Sequence, residues 1–266
     1  MKNPSPFTAQ SLAASLFAAG LLVLTGFSAL AIDLPAAHWL AGHSMPRDVL
    51  KLLTLSESFA HGYGVAVILL AVALLDADRR RLIPWIAGAS LGAGLTADVL
   101  KLVVSRMRPH AFDLQGDVLA TFVGWFRLVD RSSQWQSFPS AHTATAVGLA
   151  LGLSWLYPRG RPLFAALAVL AAAQRVTSQS HFVSDVLWGA AVGVAVSSLC
   201  VWGAARNAAV CAKKNRASHE ARLNPNRSSP LGGTGRTPEC DESLWPFTGI
   251  PITGIVEGQS VINDES

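Results

Sequence analysis

The chain has 266 residues, of which 51% are hydrophobic and only 14% are charged, and its mean hydropathy is +0.37. Soluble domains are usually about one-quarter charged, so this composition points to a membrane protein. The formal net charge is +4, but the basic residues form short clusters between apolar runs, which argues against a nucleic-acid partner. The three cysteines have no CxxC spacing, so neither a disulfide framework nor a zinc site is indicated.

Uncharged apolar runs predict an all-α fold, a polytopic membrane bundle of about six transmembrane helices, since one span needs about 20 mostly apolar residues. The first run contains Ala29 and Ala31, which resemble a signal-peptide cleavage site. Its apolar length exceeds the usual ~7–15 residues of such a signal, which favours an uncleaved anchor. The runs lie near residues 10–32, 58–75, 82–100, 143–158, 162–178 and 186–205.

The Lys and Arg residues near the span ends predict the orientation, because cytoplasmic loops are enriched in them. They place three loops on the same side as Lys2, so that both termini are expected in the cytoplasm. The basic clusters are Arg79, Arg80 and Arg81, then Arg159 and Arg161, then Arg206, Lys213 and Lys214. Residues 33–57, 105–142 and 176–184 are then extracytoplasmic, although Arg127 and Arg131 in the second loop oppose the rule.

These patterns divide the chain into three segments. Residues 1–57 form an N-terminal anchor and extracytoplasmic loop, residues 58–205 form the core, and residues 206–266 form a cytoplasmic tail. The tail is polar and rich in Asn, Ser, Gly and Pro, so it is predicted to be mostly disordered. Within it, the apolar stretch 244–255 is either a docking segment or merely an apolar part of the tail that associates non-specifically, and the second interpretation is favoured.

The first group of ionisable residues is KLVVSRMRP, from Lys101 to Pro109. Charged residues near membrane spans are costly and are therefore functional candidates. Lys101 and Arg108 lie seven residues apart, about two helical turns, which predicts two cations on one face of a helix that Pro109 ends. The alternative is an ordinary pair of cations that snorkel to the membrane interface.

The second group is SFPSAHTATA, in which Ser140 can cap a helix and His142 lies in its first turn. The free N–H groups at a helix start attract anions, so the Ser140 hydroxyl and the amides near Ala141 are candidate phosphate donors. Taken alone, this segment is also compatible with an ordinary helix start that happens to contain a histidine.

The third group is QRVTSQSHFVSD, with Arg175 at a span end, then His181 and Asp185. Residues at i and i+4 share a helix face, so Asp185 is expected to accept a hydrogen bond from one nitrogen of His181. That bond would fix the tautomer and leave the other nitrogen free as a nucleophile. Simple capping of a helix is the alternative.

All three groups fall on the same predicted side of the membrane, at extracytoplasmic helix ends. Three cations, two histidines and one carboxylate, with no acidic cluster to hold a divalent metal, describe a site for a tetrahedral oxyanion. No metal or other cofactor is therefore expected.

In this order the three motifs resemble those of the type 2 phosphatidic acid phosphatase and vanadium haloperoxidase superfamily, KxxxxxxRP, PSGH and SRxxxxxHxxxD. The resemblance covers about residues 58 to 205, which would make this core catalytic. Two positions depart from the pattern: Ala141 stands where the family usually has Gly, and Gln174 where it usually has Ser. Ala141 disfavours the positive φ that Gly accepts, whereas Gln174 can still donate to an oxyanion.

The resemblance implies a metal-independent hydrolase of phosphoric monoesters or diphosphates, of acid phosphatase type. His181 would attack phosphorus and Asp185 would orient it. His142 would protonate the leaving oxygen and then activate water. The phosphoryl oxygens would be bound by Lys101, Arg108 and Arg175, with hydrogen bonds from Ser140 and the Ala141 amide.

The substrate is expected to be a lipid phosphate in the bilayer of the cell membrane, and the sequence leaves open undecaprenyl diphosphate, phosphatidic acid, phosphatidylglycerol phosphate and a lipid A phosphate. No nucleic-acid partner is expected, and protein partners stay open. The alternatives are an inactive family member that binds or transports lipid phosphates, a haloperoxidase, and a metal hydrolase using His142, His181 and Asp185. The aromatic loop 110–137 is either a lid or a plain interfacial belt.

Overall fold

The computed structural model describes residues 7–126 and 132–223. The apolar stretch 244–255, most of the predicted tail, and Arg127 with Arg131 lie outside the described residues. The described residues up to Arg216 belong to one compact unit, which includes both the predicted anchor and the predicted core. The helices are α1 (Ala9–Gly42), α2 (Arg47–Glu57), α3 (Gly62–Leu75), α4 (Ile83–Val103), α5 (Ala141–Leu156), α6 (Arg161–Thr177) and α7 (Val183–Leu223), and the strands are β1 (Val104–Arg106) and β2 (Phe122–Trp125).

The mainly helical fold is confirmed, and each of the six apolar runs lies largely within one helix. Three described helical stretches are long and apolar enough to cross a membrane: Ala9–Gly42, Ala77–Val103 and Val183–Lys214. A fourth span results if the bent pair Arg47–Ala60 and Gly62–Leu75 counts as one. These helices indicate a protein embedded in a membrane, whereas the number of six spans stays a prediction.

Several helix boundaries differ from the predicted ones. The helix α1 continues past residue 32 to Gly42. Asp33 does not end the helix at the water interface, because its side chain is buried and paired with Arg106. A second helix, α2, occupies part of the segment predicted as a loop. Residue 206 is not a helix end, since α7 continues to Leu223 through a stretch rich in Ala, Lys and Arg, which are good helix formers.

The core of the unit is organised around α5, which packs mainly against α4 and α6. Most of its residues are buried, and small residues allow the neighbouring backbones to approach closely. A Cβ atom on Gly148 would lie 2.1 Å from the Ala89 carbonyl oxygen of α4, and one on Gly193 of α7 would lie 2.8 Å from the Ala144 carbonyl oxygen. These close approaches hold α5 tightly against α4 and α7.

A short antiparallel hairpin of β1 and β2 follows α4, and the sequence did not predict it. Lys101 lies in the last turn of α4, but the helix ends at Val103 and Arg108 has extended backbone angles. The prediction that Lys101 and Arg108 share one helix face is therefore wrong. Two consecutive β-branched residues, Val103 and Val104, favour extended structure here, well before Pro109.

Candidate functional site

The orientation of His181 is fixed by a backbone carbonyl. His181 lies in the loop between α6 and α7, is 1% exposed, and places its Nδ1 atom 2.6 Å from the Ser137 carbonyl oxygen. A carbonyl oxygen only accepts hydrogen bonds, so Nδ1 carries the proton and the lone pair lies on Nε2. Burial, with smaller contributions from the charges of Lys101, Arg175 and Arg108, lowers the pKa of His181 well below 6.5. The ring is therefore neutral near pH 7.

Asp185 does not accept the hydrogen bond from His181 that the sequence spacing predicted. Its carboxylate instead accepts the Ser137 hydroxyl at 2.6 Å, the Phe182 N–H at 2.9 Å and Arg106 Nη1 at 2.5 Å. Asp185 thus acts on His181 through Ser137. The Asp185 carboxylate accepts the Ser137 hydroxyl, and the Ser137 carbonyl accepts the imidazole N–H. His181 and Asp185 do not share a helix face, because His181 lies before the helix, which begins at Val183.

Arg106 is the centre of a buried charge network that no sequence motif predicted. Its guanidinium is fully buried and donates to Asp185 and, through Nη2, to Asp33 at 2.8 Å. Asp33 also accepts the Ser184 N–H at 3.0 Å, which ties α1 to the start of α7. The rings of Phe122 and Phe182 flank the guanidinium at 4.6 and 4.3 Å. Because a buried charge is stable only when paired, this network fixes the residues around His181.

The three predicted cations come together, although they arise from different elements. Lys101 lies in the last turn of α4, Arg108 follows β1, and Arg175 lies near the end of α6. All three are close enough to act electrostatically on both His142 and His181. The Nε atoms of Arg108 and Arg175 are buried and have no hydrogen-bond partner among the described residues. Buried donors are normally paired, so these two atoms are suited to an anionic ligand.

The loop after α6 places Arg175 and His181 side by side. The Arg175 carbonyl oxygen accepts the N–H groups of Ser180 at 3.2 Å and of His181 at 3.1 Å.

Burial lowers the pKa of Arg108, and the nearby Asp185 carboxylate opposes this effect. An arginine nevertheless stays charged at neutral pH, so the neutral imidazole faces positive groups.

Ser140 and Ala141 begin α5, as predicted. The Ser140 hydroxyl caps the helix by accepting the Thr143 N–H at 3.4 Å, and it also accepts the Thr143 hydroxyl at 3.0 Å. Ala141 is the first helical residue, and it is not among the described residues with a positive φ. The Gly-to-Ala departure is therefore compatible with the local backbone, because a helix start requires no positive φ.

His142 lies at one end of a pocket of about 300 Å³. The pocket is also lined by His61 and Asp98 and by the apolar residues Leu91 and Leu95 of α4. The rings of His61 and His142 meet edge to face, with centroids 4.6 Å apart. The pocket therefore combines an acid–base group with a surface suited to an apolar or lipid group beside it.

Glu57 and His61 were not predicted as site residues, because no motif contains them. The Glu57 carboxylate accepts Arg175 Nη1 at 2.7 Å and Gln174 Nε2 at 3.1 Å, so the Gln174 amide reaches Glu57 instead of standing free for an oxyanion. Glu57, His61 and His142 also have ligand atoms within 4.8 Å of one another, which makes them a candidate metal cluster. The sequence motifs had not predicted this cluster.

The fold and the site define a class of protein. Near the ends of the apolar helices lie an oriented neutral imidazole, three cations close enough to act on it, and a second imidazole that lines a pocket of about 300 Å³. Residues 83–209 match the model of the PAP2 superfamily. This segment contains His142, His181 and Asp185. The match covers just under half of the chain and agrees with the resemblance that the three motifs indicated.

Two relatives match this chain over part of their length. The lipid A 1-phosphatase of Rhizobium johnstonii is 35% identical over 40% of this chain, and that of Rhizobium etli is 34% identical over 38% of it. The match spans about two-fifths (41%) of each relative. The crystal structure of Aquifex aeolicus LpxE shares 20% identity and a TM-score of 0.46, over 64% of this chain and 94% of that chain.

Proposed function

We propose that this protein is a membrane phosphatase that removes a phosphate from a lipid phosphate or diphosphate through a phosphohistidine on His181. The observation that carries the proposal is the hydrogen bond from Nδ1 of His181 to the Ser137 carbonyl. It leaves the Nε2 lone pair free, and Lys101, Arg108 and Arg175 are close enough to act electrostatically on the ring, so an oxyanion would be held beside it. An anion-binding scaffold has no need of such an oriented nucleophile.

The reaction would proceed in two steps. In the first, Nε2 of His181 forms a bond to phosphorus while the bond to the lipid oxygen breaks, and His142 gives its proton to that oxygen. In the second, His142 takes a proton from water, whose oxygen displaces Nε2 and releases inorganic phosphate. The three cations neutralise the phosphoryl charge in both steps, with hydrogen bonds from Ser140 and the Ala141 amide.

We propose that no metal takes part in these steps. Glu57 is already held by Arg175 and Gln174, and the cations beside the Glu57, His61 and His142 cluster would repel a divalent ion. A metal-independent phosphatase should keep its full rate after dialysis against a chelator and should be inhibited by vanadate. Loss of activity on chelation, with recovery on addition of a divalent ion, would instead support the metal cluster.

Among the four candidate substrates, the two relatives named lipid A 1-phosphatase favour a phosphate on a lipid A-type glycolipid. The test is phosphate release from detergent-solubilised protein with lipid A, phosphatidic acid, phosphatidylglycerol phosphate and undecaprenyl diphosphate. We expect the highest kcat/KM with lipid A. A higher value for another lipid would overturn the substrate, and no release from any of them would leave a binding or transport protein instead.

The site is proposed to face the outside of the cell membrane, with both termini in the cytoplasm. The end of α4, the start of α5 and the start of α7 carry the site. The basic cluster at Arg79, Arg80 and Arg81 precedes α4 at its opposite end, and it is the end expected in the cytoplasm. Intact cells should then hydrolyse a membrane-impermeant phosphate ester added outside. A requirement for cell lysis would contradict this orientation.

A further inference from the structure

Glu57, the last residue of α2, connects two parts of the site that belong to different sequence motifs. One carboxylate oxygen accepts Arg175 Nη1 at 2.7 Å and lies 3.3 Å from His61 Nε2. The other oxygen accepts Gln174 Nε2 at 3.1 Å. The side chain is only partly accessible, at 24%, so these contacts are not those of a freely solvated surface acid.

The contact of Glu57 with Arg175 uses Nη1 and leaves the buried Nε donor of that side chain available. Nη1 of Arg175 donates to Glu57, whereas the buried Nε has no partner in the described part of the chain. An arginine side chain has several rotatable bonds, so fixing it in one orientation costs conformational entropy. If the side chain is already fixed in the free protein, this entropy is not lost when the ligand binds. Glu57 thereby fixes the guanidinium before a phosphate arrives, which favours tight and correctly oriented binding.

Gln174 gives this chain a specific reason to use Glu57. Its amide nitrogen donates to Glu57 while its amide oxygen accepts Arg175 Nη1 at 3.2 Å, so the three side chains form a closed triangle. Gln174 is itself buried, with 8% exposed. Serine, the usual residue of the superfamily motif at this position, is too short to make both contacts. The departure at Gln174 and the presence of Glu57 are thus parts of one arrangement.

The Glu57 oxygen that accepts Arg175 also contacts His61, and the ring of His61 packs edge to face on His142. His61 precedes α3 at the bend between α2 and α3, so its position depends on this contact as well as on the backbone. His142 is the proposed proton donor to the leaving group. Glu57 therefore contacts the proposed phosphate-binding cation Arg175 directly and the proposed acid–base group His142 through His61.

We propose that Glu57 is a positioning residue: its carboxylate, supported by Gln174, orients Arg175 for phosphate binding and holds His61 against His142. This inference rests on the proposed function for the identity of the reaction. It also assigns α2, which lies outside the segment that matches the superfamily, a part in the site.

The test compares Glu57→Gln with wild type in the full-length solubilised protein, by kinetics on the preferred lipid and by vanadate affinity. We expect KM and the vanadate inhibition constant to rise about tenfold, as for loss of one charged hydrogen bond, with a smaller rise for Glu57→Asp. Asp48→Asn is the control, because Asp48 lies on the same helix but is exposed. Unchanged KM and vanadate affinity in Glu57→Gln would overturn the proposal.

A second variant separates positioning from simple stabilisation. Gln174→Ser restores the usual family residue and removes one contact to Glu57, so we expect weaker vanadate binding. Its effect should be smaller when Glu57 is already Gln, because the contact between positions 57 and 174 is then already weakened, whereas the contact of Gln174 with Arg175 is lost in both cases. Strictly additive effects would contradict the coupling. If wild type binds vanadate but releases no phosphate from any lipid, the proposed function fails while this test on vanadate binding still decides the role of Glu57.

Discussion

Replacement of His181 with alanine is expected to reduce phosphate release by on the order of 10⁴-fold or more, because loss of a covalent nucleophile removes the main reaction route. The fold should survive, since a smaller neutral residue leaves no unpaired charge where His181 contacts the Ser137 carbonyl. The measurement is phosphate release from solubilised protein at saturating lipid phosphate, with the unfolding temperature recorded for both proteins.

His43→Ala is the matched control for this change. His43 also places its Nδ1 against a backbone carbonyl, that of Trp39 at 2.8 Å, but it is exposed at the end of α1. It should release phosphate at the wild-type rate. A His181→Ala protein that is folded and retains more than about one-tenth of the wild-type rate would exclude His181 as the nucleophile.

The largest expected effect on stability comes from Arg106→Ala. Removal of this guanidinium leaves Asp33 and Asp185 buried and unpaired, which typically costs about 3–5 kcal/mol. For a chain of this size the unfolding temperature should fall by roughly 10 °C. Activity should fall as well, because Asp185 would no longer be held where it binds the Ser137 hydroxyl. The measurement is thermal unfolding in detergent, paired with phosphate release.

Lys51→Ala provides the comparison, since Lys51 forms an exposed ion pair with Asp48 and such pairs contribute little to stability. If Arg106→Ala does not yield folded protein, Asp33→Asn tests the same network with a smaller change. A wild-type unfolding temperature in Arg106→Ala or in Asp33→Asn would show that the buried network does not hold the unit together.

The ionisable residues of the site could be predicted from sequence because they occur in short motifs of fixed spacing. Lys101, Arg108, Arg175 and His181 converge as expected, although the reasons given for their geometry were partly wrong. Spacing implied a helix from Lys101 to Arg108 and a direct contact from His181 to Asp185. Both inferences assumed that a helix continues where the chain is in fact extended or in a loop.

The supporting residues could not be predicted, because their contacts join positions far apart in the chain. Arg106 contacts Asp33, which is 73 residues earlier, and Arg175 contacts Glu57, which is 118 residues earlier. Periodicity carries no information about such pairs. One signal was available: Asp33 follows an apolar run of α1, where a carboxylate is costly unless it is paired. That position could have been marked as a partner for a buried cation.

The helical character followed from composition, whereas the extent of each helix did not. Apolar runs identify the buried or lipid-facing parts of α1, α4 and α7. They miss α2, whose sequence is polar enough to resemble a loop, and the hairpin of β1 and β2, whose strands have only 3 and 4 residues. Such short elements depend on tertiary contacts more than on local propensity.

Trapping of the phosphoenzyme in a denaturing alkaline quench tests the central claim most directly. Protein mixed with a lipid phosphate labelled in its phosphate group and quenched within the first turnover should carry label that is stable in alkali and lost in acid, as expected of a phosphohistidine. The label should map to the peptide that contains His181, should be absent from His181→Ala, and should accumulate in His142→Ala if water activation is slowed. Wild-type protein that releases phosphate without ever carrying such label, or His181→Ala that still carries it, would contradict the proposed mechanism.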